Sequence, residues 1–112
     1  MAKRLLVLSD HIGRDSDELG HILMQNFLYA TARNSEPPLC VMLMNGAVRL
    51  ACEGSSSLDD LRLLAEKGVD IKACGTCLDF LGLKDSLVVG VVGTMVDGVA
   101  ALLGEGDVVT IG

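Results

Sequence analysis

The sequence predicts an α/β fold: a three-layer α/β/α sandwich with a mostly parallel five-stranded sheet. Short apolar runs, typical of strands buried on both faces, alternate with longer amphipathic segments. The apolar residues are mainly aliphatic, since the 112 residues include two Phe, one Tyr and no Trp. A chain of this length suggests a single domain spanning residues 1–112.

The N-terminal third is predicted to form a strand, a helix and a second strand. Arg4–Ser9 is an apolar run expected to be the first strand. A helix is expected to begin at Asp17, because acidic side chains favour its positive end, and Pro37 prevents its continuation. Helical spacing predicts a buried face of five residues: Leu19, Ile22, Leu23, Phe27 and Ala30. Leu39–Met44 is the second predicted strand.

The middle of the chain contains a helical turn at Ala47–Ala51 and then a helix that follows a serine run. Ser57 and Asp60 predict a capping box at the start of this helix. Its predicted buried face is leucine-rich: Leu58, Leu61 and Leu64. Gly68 is the expected C-terminal stop, and Val69–Ala73 is the third predicted strand.

The C-terminal third is predicted to form a strand, a helix and a final strand. Leu87–Val92 is the fourth predicted strand, weakened by a glycine. Thr94 is expected to cap a helix that runs through Leu103, with Asp97 three residues after the cap. Asp107–Ile111 is the fifth predicted strand.

Cys74 and Cys77 enclose a Gly-Thr pair between the third predicted strand and a short apolar segment. The free amides of a helix N-terminus favour a thiolate, which is the reactive form of cysteine. The pair is compatible with a redox dithiol, a carrier of sulfane sulfur, or buried cysteines that fill space. A zinc site would need two more ligands, and the spacing of Cys40, Cys52 and the histidines supplies none. We therefore predict no metal or cofactor, and we expect Cys40 and Cys52 to be structural.

Three loops are expected to meet at the carboxyl ends of the strands, where parallel sheets bind ligands. They are Ser9–His11, Asn45-Gly46 and Cys74–Cys77. We expect Asp10 and Asn45 to line the site, with Gly75 and Thr76 offering backbone donors. His11 would be a candidate base if its loop adjoined the thiols.

Charge and hydropathy exclude several classes of function. The formal net charge of −6 disfavours nucleic-acid partners and anionic membrane surfaces. No apolar run approaches the length of a transmembrane helix, and the apolar start is too short for a signal peptide. We expect a cytoplasmic protein in a reducing compartment, without a disulfide framework.

A series of short motifs resembles the DsrE-like domain of YedF-type proteins, called sulfurtransferase-like selenium metabolism proteins. In chain order they are Ser9-Asp10, Asp17–Gly20, Phe27–Tyr29, Met44–Gly46, Glu53–Ser55 and Cys74–Phe80. The last, Cys-Gly-Thr-Cys-Leu-Asp-Phe, is the most specific. The resemblance covers nearly the whole chain but not the TusA-like domain that usually precedes this domain in YedF-type proteins.

The resemblance implies a sulfur-relay function, possible sulfurtransferase activity and a homo-oligomer, commonly a trimer or hexamer. By position, Cys74 matches the persulfide carrier of sulfur-relay relatives. Cys77 would attack a Cys74 persulfide, releasing reduced sulfur and leaving a disulfide. The implied partner is a sulfur donor or acceptor protein, such as a TusA-like protein. A dithiol–disulfide oxidoreductase or redox sensor, and an assembly subunit with structural cysteines, remain the alternatives.

Overall fold

The computed structural model describes residues 2–112, which form one parallel sheet flanked by helices. The five strands are β1 (Lys3–Val7), β2 (Cys40–Leu43), β3 (Asp70–Cys74), β4 (Val91–Gly93) and β5 (Asp107–Ile111). Their order across the sheet is β4-β3-β2-β1-β5, and every neighbouring pair is parallel. The predicted α/β class is confirmed, and the sheet is entirely parallel.

Four α-helices and two short 3-10 segments connect the strands. The α-helices are α1 (Asp17–Arg33), α2 (Leu58–Glu66), α3 (Gly75–Phe80) and α4 (Met95–Leu102). The 3-10 segments are Asn45–Ala51 and Lys84–Ser86. Among residues 2–112, no helix combines the length and the apolar character needed to cross a membrane.

The main core lies between one face of the sheet and helices α1 and α2. Val7, Leu43 and Ala73 are side by side on adjacent strands and are fully buried. Met24 and Leu28 of α1 belong to the same buried cluster. Because side chains alternate along a strand, the residue that precedes each of these positions points to the opposite face of the sheet.

Helix α4 covers part of that opposite face. Met42 and Cys40 of β2 are buried there but do not belong to the main core cluster. Met42 and Lys72 line a pocket together with Gly98 of α4. A methyl group added at Gly98 would lie 3.1 Å from the Met44 side chain, so this glycine allows the helix to approach closely. Cys74, two residues after Lys72 on β3, points to this same face.

The predicted buried face of α1 is wrong except at Phe27, which is partly buried and packs against the core. Leu19 and Ile22 are about half exposed, at 51% and 50%, and Leu23 is also exposed. The buried stripe of α1 is Gly20, Met24, Leu28 and Ala32. These residues also recur at helical spacing, and Gly20 at the start of the stripe allows close packing against the loop that contains His11 and Ile12.

The predicted capping box of α2 is also wrong. Ser57 occupies the N-cap position, but its side chain makes no capping hydrogen bond. Asp60 instead accepts a hydrogen bond from Arg33 of α1 at 2.8 Å. Its carboxylate is therefore committed to an ion pair that joins the two helices.

The fourth strand is shorter than predicted. Leu87 forms an isolated antiparallel bridge with Cys52, and β4 begins only at Val91. Gly90 has a φ of +83°, and a Cβ there would lie 2.6 Å from the carbonyl oxygen of Ile71. The chain turns sharply at this glycine before it joins the sheet.

Candidate functional site

The strand order brings the three predicted loops to one edge of the sheet. β1, β2 and β3 are consecutive neighbours, so the segments after Val7, Leu43 and Ala73 leave the sheet at the same end. This is the carboxyl edge, where parallel sheets bind ligands. Since β2 lies between the other two strands, its loop separates His11 from the thiols, and the condition for His11 as their base is not met.

Cys74 and Cys77 lie within one turn of the chain, where β3 passes directly into α3. Cys74 is both the last residue of β3 and the N-cap of α3. Its Sγ accepts a hydrogen bond from the backbone N–H of Cys77 at 3.3 Å. Both thiols are partly exposed, whereas Cys40 and Cys52 are buried. The structure therefore offers two accessible sulfur atoms in contact range of one reagent.

Asn45 holds the second thiol through its backbone. Its N–H donates a hydrogen bond to the Sγ of Cys77 at 3.1 Å. Asn45 has a φ of +53°, in the left-handed region that asparagine tolerates better than most residues. Its Oδ1 accepts the N–H of Gly46 at 2.9 Å, which stabilises this turn. Asn45, which was predicted to line the site, thus contributes to it through its backbone N–H.

The pKa of the Cys77 thiol is raised above its ordinary value. Burial makes the largest contribution, and a hydrogen bond with the Cys74 side chain raises the pKa further. The N–H of Asn45 lowers it, but not enough to reverse the shift. Cys77 therefore carries its proton near neutral pH.

Cys74 opens onto a small, mostly apolar pocket beneath α4. The pocket has a volume of about 20 Å³, and its lining includes Met42, Met44, Lys72, Thr94 and Met95. A space of this size holds about one water-sized group. Sequence reasoning did not identify Lys72 or Thr94 as site residues. For Lys72 the signal was available, because a residue two positions before Cys74 on a strand shares its face.

Gly75 and Thr76 occupy the first turn of α3. A Cβ at Gly75 would lie 3.0 Å from the Val92 side chain and 3.3 Å from the carbonyl oxygen of Gly93. The small size of Gly75 therefore permits packing of α3 against β4. Thr76 is exposed beside the thiols.

The Asp10 carboxylate faces two histidines. Its oxygens lie 3.0 Å from Nδ1 of His11 and 3.5 Å from Nε2 of His21. Partial burial alone would raise the pKa of Asp10, but His11, His21 and Arg49 together lower it below its ordinary value. Asp10 lies at the same edge of the sheet as the thiols, and its carboxylate lies beside these two histidines.

The two remaining cysteines have the character of core residues. Burial raises the pKa of both Cys40 and Cys52. The thiol of Cys52 donates a hydrogen bond to the carbonyl oxygen of Val48 at 3.2 Å. Their structural assignment agrees with this burial.

Fold and site define a parallel α/β domain with a Cys-x-x-Cys pair at the carboxyl edge of its sheet. The model of the DsrE/DsrF-like family matches residues 16–111, and the chain belongs to this family. No curated protein matches the chain.

Two solved structures share the fold. The YchN protein from E. coli is 24% identical, with a TM-score of 0.72 over 99% of this chain and 100% of its own. MTH1491 from Methanobacterium thermoautotrophicum, a protein of unknown function, is 19% identical, with a TM-score of 0.64 over 98% of this chain and 99% of its own. At these identities the comparison establishes the fold alone.

Proposed function

We propose that this protein is a cytoplasmic sulfur-relay protein that carries sulfane sulfur as a persulfide on Cys74. The observation that carries the proposal is the position of Cys74, partly exposed at the end of β3 and open to a pocket of about 20 Å³. That volume suits one additional sulfur atom, because it holds about one water-sized group. The YedF-type resemblance assigns the same role to this position.

Loading would proceed by attack of the Cys74 thiolate on the outer sulfur of a donor persulfide. A new S–S bond forms on Cys74, the donor's S–S bond breaks, and the donor thiolate leaves. Lys72 lines the pocket into which the added sulfur would project, and its ammonium lies 3.8 Å from Asp70 and 3.9 Å from Asp97.

Release would use Cys77 as the resolving thiol. The Cys77 thiolate attacks the Sγ of Cys74, the persulfide S–S bond breaks, and sulfide leaves. The sulfane sulfur is reduced by two electrons, and the two cysteines are oxidised to a disulfide. When an acceptor thiol, such as that of a TusA-like protein, takes the outer sulfur instead, Cys74 returns to its reduced form.

Transfer of the carried sulfur to cyanide tests the proposal. The protein is loaded with inorganic polysulfide, separated from the donor by gel filtration, and mixed with cyanide, which accepts sulfane sulfur as thiocyanate. We expect about one thiocyanate per chain for Cys77→Ser and none for Cys74→Ser. An equal yield from both variants would exclude Cys74 as the carrier. The YedF-type resemblance also suggests selenium, which a parallel loading with a selenium donor would reveal.

A dithiol oxidoreductase is the second candidate, favoured by the direct contact between the two cysteines. The Cys77 N–H lies 3.3 Å from the Sγ of Cys74, so the two residues are neighbours within one turn. This function predicts a reversible disulfide with a potential in the cytosolic range. Thiol titration across glutathione ratios measures it, and a pair that stays fully reduced under native conditions would exclude it.

A further inference from the structure

A second group of reactive side chains lies outside the thiol site. Asp10 and His11 follow β1, and His21 lies in α1. One potential ligand atom from each of the three lies within 4.8 Å of the others. The cluster is therefore compact enough for its three side chains to share one small occupant.

His21 directs its Nε2 toward Asp10. Its Nδ1 lies 2.7 Å from the carbonyl oxygen of Asp17, which only accepts hydrogen bonds, so Nδ1 carries the proton. In the neutral ring, Nε2 then carries a lone pair, and it lies 3.5 Å from Oδ2 of Asp10. Two lone pairs that face each other require a proton or a metal cation between them.

His11 repeats this arrangement on the other side of the carboxylate. Its Nδ1 lies 3.0 Å from Oδ1 of Asp10 and 3.0 Å from the Ser9 hydroxyl. Its Nε2 lies 3.7 Å from the Asp17 carboxylate. In both rings, one nitrogen faces Asp10 and the other faces an oxygen of Asp17. Metal-binding histidines typically have their second nitrogen held by a carboxylate or carbonyl, as the Asp17 carbonyl holds Nδ1 of His21. The 3.7 Å separation at His11 is too long for a hydrogen bond.

The backbone holds the His11 loop against α1. The N–H of Ile12 donates to the carbonyl oxygen of Gly20 at 3.0 Å. A Cβ at Gly20 would lie 2.9 Å from the carbonyl oxygen of Ile12 and 3.0 Å from the Cβ of His11. Only glycine permits this approach, so the relative position of the two histidines is fixed by the fold.

We propose that Asp10, His11 and His21 bind one zinc ion through a carboxylate oxygen and two ring nitrogens. Zinc prefers such ligands, and in a tetrahedral site with bonds of about 2.0 Å the ligand atoms lie roughly 3.3 Å apart. Nδ1 of His11 lies 3.0 Å from Oδ1 of Asp10, and Nε2 of His21 lies 3.5 Å from Oδ2. Both separations are close to this value, and binding of zinc through one oxygen requires only a rotation of the carboxylate. Three protein ligands leave the fourth position open, as in sites where zinc contacts a substrate or water.

The open position would favour an anion. Asp10 and His21 line a cleft of about 360 Å³ that also includes Arg49, Glu53 and the serines at 55–57. One carboxylate and two neutral imidazoles leave zinc with a net charge of +1, while Arg49 and Glu53 contribute opposite charges to the cleft. Chloride, hydroxide or an anionic oxygen of a small molecule would balance this charge.

Zinc titration of the full chain tests the proposal. The measurement uses the Cys74→Ser/Cys77→Ser protein, because zinc could otherwise bind the thiols, and a chromophoric chelator as competitor. We expect one zinc per chain, and an affinity at least about ten-fold weaker in His21→Asn and in His11→Asn. The side chain of His21 is 54% exposed, so its replacement should leave the fold intact.

A matched control and a spectroscopic probe complete the experiment. Gln25→Ala changes an exposed residue one turn along α1 and should bind zinc as the parent does. Cobalt bound at this site in the same parent should show no thiolate charge-transfer band. The proposal is overturned if the parent binds no zinc, or if both histidine variants bind it as tightly as the parent.

Discussion

In the proposed relay, Cys77 would control how long a persulfide on Cys74 survives. Burial and the hydrogen bond with Cys74 raise the pKa of Cys77, so its thiolate is scarce near neutral pH. A protonated thiol is a poor nucleophile, and it would leave a loaded Cys74 intact until an acceptor arrives. The same residue becomes competent to release sulfide when it ionises.

Alkylation of Cys77 by iodoacetamide should therefore become fast only at a higher pH than alkylation of an ordinary thiol. Because the folded-state pKa is raised, the midpoint of its rate profile should shift to higher pH, measured by peptide mass spectrometry. The same peptide in the denatured chain is the control. A native midpoint at or below the denatured one would contradict the proposed role of burial.

Asn45 is the residue whose backbone conformation positions Cys77. Asn45→Val should destabilise the protein by about 1–3 kcal/mol in urea unfolding, because a β-branched residue is strained at a φ of +53°. Asn45→Gly relieves the strain and should lose less stability. Equal losses in both variants would indicate that the Asn45 side chain, rather than φ, is what matters.

At the scale of elements, the sequence predicted the bounds of β5 and the start of α4 better than the packing of α1. The bounds of β5 were predicted correctly, and the Thr94–Asp97 capping box of α4 is present, since both depend on local pattern. The buried face of α1 was predicted wrongly because two apolar stripes follow helical spacing. The choice between them depends on Gly20 and its contact with a distant loop.

The same limit applies to the candidate site. Sequence pattern placed the two cysteines between a strand and a helix, and the parallel order of the strands then brought Asn45 to Cys77. Lys72 and the α4 pocket depend on which helix covers the second face of the sheet. No local sequence pattern indicates which helix covers that face, so Lys72 and the pocket could be identified as parts of the site only from the structure.

Thr94 caps α4 and also lines the Cys74 pocket. Thr94→Ala should cost about 1 kcal/mol in urea unfolding, while Thr94→Ser should retain the cap. Hydrogen bonds from Thr94 lower the pKa of Asp97. The stabilisation that comes from the lowered pKa of Asp97 is present above the pKa of this carboxyl group in the unfolded chain. It is lost as pH falls through the pKa of Asp97 in the folded protein. Thr94→Ala keeps the backbone N–H, which makes the larger contribution, and loses only that of the hydroxyl. The difference between wild type and Thr94→Ala should therefore shrink modestly in acid, and a constant difference would contradict this linkage.

At the scale of the whole molecule, α4 presents an apolar surface that is unusual for an acidic chain. Val96 of α4 is 79% exposed, and Leu103, the C-cap residue of α4, is 82% exposed. Met95 and Val99 are also exposed. A helix that is apolar on most sides is normally buried, and we propose that a second copy of this chain covers it. This agrees with the homo-oligomer implied by the YedF-type resemblance.

Light scattering after gel filtration tests this assembly. Wild type should be oligomeric, and Val96→Glu combined with Leu103→Glu should shift it to monomer, because charges would be buried without partners. Gln25→Glu adds a charge on an exposed polar position of α1 and should leave the mass unchanged. A monomeric wild type would contradict the proposed interface.

The intact mass of the protein after exposure to a persulfide donor tests the central claim most directly. The spectrum is recorded without reductant for wild type, Cys74→Ser and Cys77→Ser. We predict that Cys77→Ser gains the mass of one sulfur atom, that peptide mapping places it on Cys74, and that Cys74→Ser gains none. A sulfur atom retained on Cys77 in Cys74→Ser, or no gain in Cys77→Ser, would contradict the assignment of Cys74 as the carrier.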